Sequence, residues 1–586
     1  MPDIINTIAG NQWYIAFVMC ALIGALIFNL ERPPLLFALA LLAIYLPGGL
    51  DTDPMLAAFV NPALITLVLL MIIASVLEKT QFIRTLAEQI LRGTQRVALG
   101  QLVTLAGFVS AFANNTAVVA ALIGPLRQSK KFATSKLLIP LSYASILGGM
   151  LTLIGTSTNL IVSAFMVSEG LAALSFFEFT LLGLCTFLAG GLAILTFAPV
   201  LLPENSDTHE SARTEYLIEA TVLPDSPLIG GTVKSNGLRN LRELFLVEVI
   251  RPWVRIAPVS PPVVIREGDV LVFSGDIKHI ELLNQFEGLA IDGEQHHSVL
   301  GDQMLQTIVP HNSELVGKTM IDIDFRARFD AAVVAVCRGN ARIQGGIGRL
   351  RLRTGDLLVL APGDDFKKLT RHSRALMFVN ASTPERFLTK QKSLFAVLVF
   401  LAALALNIFN VLPLIKSLTL AMAVLLISRL LTMDEIRRNL PVNLIVIVGS
   451  ALGIAHAALT SGLALTIADG IIGVFAPLGH YGALIGVYLL TLLLTEAITN
   501  NASAALVCPI AYSLAAELGL PPLPFFVAVA FAASASFLSP YGYQTNLMVL
   551  SAGQYKFTDY LKIGTPVSLV YSATVLILLP VFFPFT

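Results

Sequence analysis

Long apolar runs recur along this chain, most of them about 17 to 27 residues, each enough to cross the hydrocarbon core of a bilayer as a helix. Five precede Pro203: Trp13–Glu31, Pro34–Leu50, Leu56–Leu77, Leu137–Val167, which is interrupted, and Phe176–Leu202. Five follow Leu394: Phe395–Ile415, the short Leu418–Leu431, Val442–Leu459, the interrupted Phe525–Ser551, and Tyr560–Phe583. Lipid satisfies no backbone hydrogen bond, so runs of this kind must fold as helices. With 55% hydrophobic and 13% charged residues, the composition lies far from that of a soluble domain. A polytopic α-helical membrane protein is expected. The run from Trp13 lacks a basic flank before it and an A-x-A site after it, and reads as a retained span, not a signal peptide.

Charge divides the chain further. Residues 1–203 read as a first membrane repeat and 204–214 as a linker; 215–295 and 296–380 read as two small polar domains, and 381–586 as a second membrane repeat. Net charge is zero, so no nucleic-acid partner is expected. Cys20, Cys185, Cys337 and Cys508 have neither zinc-site nor disulfide-framework spacing. Arg32, Lys79, Arg84, Arg92, Arg96, Arg127, Lys130, Lys131 and Lys136 mark one side of the first spans, which the positive-inside rule makes cytoplasmic. Gly48–Pro54 and Ser168–Gly170 mark the other side. Threading five spans puts the N-terminus outside and the polar insert inside. The second half then starts inside, with Arg429, Arg437, Arg438, Lys556 and Lys562 cytoplasmic, and ends outside. The expected fold is two inverted five-span repeats, set in the plasma (inner) membrane.

Two motifs repeat across the halves. "GTSTNLIVSA" (Gly155–Ala164) aligns with "GYQTNLMVLSA" (Gly542–Ala552) through an identical Thr-Asn-Leu, at an offset of 387 residues. Adjacent amides in "FANNTAVVAALIGP" (Phe112–Pro125) and "TNNASAALVCP" (Thr499–Pro509) pair Asn115 with Asn501 at an offset of 386. Amides and unwound backbone are costly in lipid unless they line a cavity, whereas Na⁺ needs several oxygens close together. Leu99–Leu126 and Ile485–Pro509 are therefore expected to be re-entrant hairpins, with broken helices beside them, as in transporters built from inverted repeats. A lone intramembrane Asn more often bonds neighbouring helices; two paired motifs favour ion binding. Glu496 has two readings, a functional carboxylate or a hairpin strut bonded to backbone amides.

These residues resemble the divalent anion/sodium symporter family, whose hairpin pattern is similar to "LLTEAITNNASAALVCP" and whose Gly-Thr-x-x-Asn loop is similar to "LIGTSTNLI". The resemblance implies Na⁺ as the coupling ion, with Ser110, Asn114, Asn115 and Gly155 around one ion and Thr499, Asn501 and Gly542 around a second. It also implies an anion facing Thr116, Thr156, Ser157, Asn500, Tyr543 and Gln544, with Asn159, Asn546 and Glu496 as further candidates. The family's hairpin Ser is Asn114 in one motif and Asn500 in the other, its second Thr aligns with Ala502, and Tyr543 and Gln544 replace small residues or Pro. With one hydroxyl missing, sulfate is favoured as the substrate over a dicarboxylate. The alternatives are a sodium-coupled dicarboxylate transporter, a gated channel or potassium-type transporter, and a receptor. No Thr-Val-Gly-Tyr-Gly filter supports a channel. The apolar halves assemble no cluster of His, Cys or carboxylates, so neither an enzyme nor an organic cofactor is expected.

The insert repeats itself at an offset of 87: "SPLIGGT" (Ser226–Thr232) matches "SELVGKT" (Ser313–Thr319), and "IREGDVLVFSG" (Ile265–Gly275) matches "LRTGDLLVLAP" (Leu352–Pro362). Two tandem copies of one small domain are expected, with strands such as Leu244–Arg251 and Ala331–Arg338. "GNARIQGGIGRLR" (Gly339–Arg351) reads as a hairpin connection. Arg266–Asp269 and Arg353–Asp356 resemble the regulatory C-terminal subdomain of potassium-transport gating proteins. That resemblance implies an α+β fold for each copy, a homodimer and a small regulatory ligand; a bracing role is the alternative.

Overall fold

The computed structural model describes residues 11–28, 30–78, 94–128 and 132–205, most of 217–378, and 388–409 and 411–585. Lys79, Arg84, Arg92, Lys130 and Lys131, and most of the linkers on either side of the insert, lie outside the described residues.

The first half contains α1 (Gln12–Ile27), α2 (Pro33–Tyr45), α3 (Thr52–Phe59), α4 (Pro62–Glu78), α5 (Gln95–Ser110), α6 (Asn115–Gln128), α7 (Leu138–Gly149), α8 (Ser157–Ser168) and α9 (Thr180–Leu201). Among the described residues of the insert, one short α-helix, α10 (Phe325–Phe329), precedes the second half. There follow α11 (Lys390–Ile408), α12 (Leu414–Ile427), α13 (Met433–Asn439), α14 (Val442–Thr460), α15 (Leu463–Phe475), α16 (Gly479–Ala497), α17 (Asn500–Glu517), α18 (Leu523–Ser534), α19 (Gln544–Ala552) and α20 (Phe557–Phe582). Among the described residues, six helices are long and apolar enough to cross a membrane: Thr52–Leu77, Thr180–Leu201, Gln391–Ile408, Val442–Thr460, Gly479–Ala497 and Phe557–Phe582.

Both segments expected to be interrupted are broken, at 150–156 between α7 and α8 and at 535–543 between α18 and α19. The helix leading into each break is mostly apolar and buried on every face: all of α7 is buried, and so is α18 from Pro524 to Ser534. Such helices belong inside a bundle, not at its surface. They fix the centre of the molecule. The second half also holds two helices beyond the five expected spans and the hairpin of α16 and α17. Helix α15 is only 13 residues, too short to register as a span. Helix α13 is a polar seven-residue turn, started by a capping box in which Thr432 and Glu435 each bond the other's backbone N–H.

The insert leaves α9 through a stapled corner. Lys136, 6% exposed, donates from Nζ to the carbonyls of Pro199 (2.8 Å) and Leu202 (2.6 Å), satisfying the carbonyls that end α9. Ser135 Oγ donates to Pro203 O and accepts from Asn205 N. The Asn205 amide reaches Gly553 O and Gln554 O at 3.1 and 2.9 Å.

Two five-stranded antiparallel sheets make up the insert. The first comprises β1 (Leu217–Val222), β2 (Leu244–Ile250), β3 (Arg255–Ile256), β4 (Val270–Gly275) and β5 (Leu289–Ile291); the second comprises β6 (Leu305–Ile308), β7 (Ala331–Arg338), β8 (Ala341–Arg342), β9 (Leu357–Pro362) and β10 (Met377–Phe378). Their orders, β3-β2-β4-β1-β5 and β8-β7-β9-β6-β10, are the same arrangement. Each copy carries one ion pair at the same place. Arg251 Nε is 2.7 Å from Asp269 and Arg338 Nε is 2.7 Å from Asp356, and each carboxylate also accepts the backbone N–H of Arg266 or Arg353 across a turn whose Gly has positive φ. Hydrogen bonding to Asp356 raises the Arg338 pKa above its ordinary value, against the opposing effect of burial. Asp356→Ala removes the acceptor of both the Arg338 guanidinium and the Arg353 N–H and should destabilise the second sheet by about 2 kcal/mol, seen as faster hydrogen exchange in β7 and β9. Unchanged protection there would show that the turn stands without its anchor.

Candidate functional site

Four helices begin at one place: α6, α8, α17 and α19. In the first half, α5 ends at Ser110 and α6 starts at Asn115. Between them Asn114 is exposed, and its Oδ1 accepts Thr116 N at 2.9 Å, capping α6. Asn115 is buried, with its amide against Ser110 Oγ and 3.2 and 3.1 Å from the carbonyl oxygens of Gly155 and Ser145. Two glycines make that approach possible. A Cβ at Gly149 would lie 2.9 Å from the Asn115 amide, and one at Gly155 would lie 2.5 Å from Gly149 O.

The second half builds the counterpart from α16 and α17. Thr499 caps α17, accepting Ala502 N. Thr495 Oγ1, which donates to Ala533 O, lies 3.1 Å from Asn500 Oδ1, while Asn500 Nδ2 and Ser536 Oγ have no hydrogen-bond partner. Gly542 packs so closely that a Cβ there would meet Ser536 Oγ at 2.1 Å and Thr495 O at 2.7 Å. Ser110 and Asn115, like Thr495 and Asn500, are five residues apart, and each Asn opens its helix. Contact geometry therefore pairs Asn115 with Asn500, one residue off the alignment that matched it with Asn501. The corrected register leaves Asn501, not Ala502, opposite Thr116.

The outer tip residues bond across the halves. Thr116 Oγ1 lies 3.3 Å from Gln544 Oε1, the first residue of α19, and Ser157 Oγ, the first residue of α8, donates to Asn501 Oδ1 at 2.7 Å. The Tyr543 hydroxyl is 2.6 Å from the Asn115 amide and 3.4 Å from Thr156 Oγ1. Neither Thr156 nor Tyr543 caps the helix it precedes with its side chain, so the first-turn N–H groups of α8 and α19 have no such acceptor.

Asn159 and Asn546 lie one turn deeper and hold the breaks: Asn159 Nδ2 donates to Thr152 O, and Asn546 Nδ2 donates to Ser536 O and Ser539 O. Glu496 Oε1 accepts the N–H groups of Phe537 and Leu538, both at 2.9 Å, the geometry of a strut. Sequence reasoning missed Ser145, Thr495 and Ser536. The common five-residue step from hydroxyl to Asn was the available signal for Thr495; the carbonyl of Ser145 leaves no signature in its side chain.

Broken helices meeting around a polar centre inside an apolar bundle define a membrane transport protein. The chain belongs to the citrate transporter family (CitMHS), whose pattern matches residues 14–511 and 498–585. It is 33% identical over 563 residues, covering 91% of this chain and 95% of the relative, to a Chlamydomonas reinhardtii protein named as a sulfur deprivation response regulator. It is 32% identical to an uncharacterized transporter of Synechocystis, covering 95% of each chain. It is 30% identical to sodium/sulfate cotransporter 1 of C. reinhardtii, covering 61% of this chain and 42% of that one. The protein is thus an integral membrane transporter and not an enzyme.

Gly149→Ala should displace the Asn115 amide, 2.9 Å from the new Cβ, and press on the Gly155 carbonyl oxygen at 3.2 Å. Uptake into proteoliposomes should fall about tenfold or more, the scale of one lost ligand, with unchanged elution of the purified protein. Full uptake by this variant would detach the Asn115 cluster from transport.

Proposed function

We propose that this chain is a secondary active symporter that couples Na⁺ entry to uptake of a small divalent oxyanion, with sulfate the preferred substrate. The observation that carries the reading is the cluster at Asn115, where Ser110 Oγ, Ser145 O, Gly155 O and the amide converge beside two helix N-termini that lack side-chain caps. The names of the sodium/sulfate relatives agree with it. Ser110, Asn115, Ser145 and Gly155 offer one cation site; Thr495, Asn500, Ser536 and Gly542 offer the second. Thr116, Thr156, Ser157, Asn501, Tyr543 and Gln544 face the anion. Each helix N-terminus supplies roughly half a positive charge, so α8 and α19 leave a divalent anion about one charge short. Bound Na⁺ makes up the difference, which is a physical reason for coupling.

Two inverted repeats with re-entrant tips, reaching the midplane from opposite sides, are the architecture this mechanism uses. Sulfate uptake should require Na⁺ and exceed uptake of succinate or citrate. Asn115→Ala and Asn500→Ala should each raise the Na⁺ concentration for half-maximal uptake by about tenfold. Asn501→Ala should instead raise the KM for the anion and leave the Na⁺ requirement in place. Unaltered Na⁺ activation in both of the first two variants would reject the cation sites.

The insert, cytoplasmic in this reading, is positioned to modulate transport in a homodimer, with or without a small ligand. Its turn at Gly355 sits on α19: Ser551 Oγ donates to Gly355 O, and a Cβ on Gly355 would stand 3.2 Å from Leu547 Cγ. The same domain accepts a bond from Arg32 Nη2 at Ser313 O, 3.4 Å. It thereby bridges the α1–α2 loop to the helix that starts at Gln544. Ser551→Leu should lift the turn and change the rate of uptake while Na⁺ dependence persists. Wild-type kinetics from a folded S551L protein would leave the insert a brace.

A further inference from the structure

The Asn115 amide stands between two different surroundings. One terminal atom faces the carbonyl oxygens of Gly155 and Ser145 and the Ser110 hydroxyl; the other lies 2.6 Å from the Tyr543 hydroxyl. An amide has a donor at one end and an acceptor at the other, and a half-turn of its last bond exchanges them without moving either position. With nitrogen inward, it donates to the two carbonyls, and its oxygen accepts the Tyr543 O–H. With oxygen inward, three acceptors and a hydroxyl crowd together, an arrangement that needs a cation among them. The nitrogen then donates to Tyr543, and the phenol proton is released.

We propose that Na⁺ at the Ser110–Asn115 cluster turns the Asn115 amide and so redirects the Tyr543 O–H towards the anion, making Tyr543 the residue through which the cation sets anion affinity. This rests on the sodium and oxyanion reading above. Without Na⁺ the phenol spends its proton on Asn115 and shows the anion only a lone pair, which repels it. With Na⁺ the phenol's oxygen is already an acceptor, and its proton is free for an oxyanion beside Thr156, the side on which the hydroxyl lies 3.4 Å from Thr156 Oγ1. Coupling of this kind is reciprocal, so the anion must tighten Na⁺ by the same factor. A hydrogen bond to a charged acceptor carries about tenfold or more in affinity. The second half has no phenol at the matching place: the counterpart of Tyr543 is Thr156, whose hydroxyl lies 3.2 Å from Thr158 Oγ1, and Asn500 Nδ2 is unpartnered. The switch is one-sided.

The test is equilibrium binding of labelled sulfate to the full-length purified protein, with Na⁺ exchanged against choline at constant ionic strength. Thermal stabilisation by Na⁺ without sulfate is measured in parallel. Wild type should bind sulfate about tenfold or more tightly in Na⁺. Tyr543→Phe should keep the Na⁺-induced thermal shift and lose most of that gain. Asn115→Asp, which cannot donate to the phenol, should likewise respond to Na⁺ and fail to pass the response on to sulfate. If Tyr543→Phe keeps the wild-type gain, or loses the Na⁺ shift itself, the switch is overturned while sodium coupling stands. If wild-type sulfate affinity ignores Na⁺, the sodium reading fails and the switch fails with it.

Discussion

A helix broken inside a bilayer exposes N–H and C=O groups where no water replaces the lost bonds, and the whole centre of this protein is arranged around satisfying them. Thr152 Oγ1 donates to Ala111 O, and Thr495 Oγ1 donates to Ala533 O. Tyr143 donates to Phe537 O, and Glu496 accepts the N–H groups of Phe537 and Leu538. The hairpins and the breaks therefore stabilise each other. Remove either partner and the other is left with buried polar groups that cost more than a surface hydrogen bond gains.

The bonds also run between halves in matched pairs. Thr158 on α8 meets Ser534 on α18 at 2.7 Å, and Thr545 on α19 meets Ser142 on α7 at 2.8 Å. The helix after each break is thus seated on the helix before the other. Neither half is complete alone, and displacement of one changes the partners of the polar side chains on both. The polar centre between the halves is uneven, since Tyr543 stands where the first half has Thr156.

Much of this was legible because it is local. Run length marks the spans, the identical Thr-Asn-Leu marks the two breaks, and the offset of 87 marks the two sheets. Helix α15 escaped because 13 residues is less than a bilayer requires. The hairpin register slipped for a different reason. Matching Asn115 with Asn501 aligns like residue with like residue, whereas the fold matches the distance from a preceding hydroxyl, which brings Asn500 to the buried position. Glu496 had two physical readings in sequence, and only its distances to Phe537 and Leu538 display the strut geometry. The contact of Gly355 with Ser551 joins residues 196 apart and has no periodicity to betray it.

The corner at Lys136 has a local consequence. The carbonyls that end α9 are satisfied by Lys136, and the chain is pinned as far as Asn205 by Ser135 and the backbone at 553–554, all outside the insert. The membrane part thus finishes its own seam before the first strand begins. The end of α9 is therefore closed without help from the segment that follows, so a change in that segment leaves this corner intact.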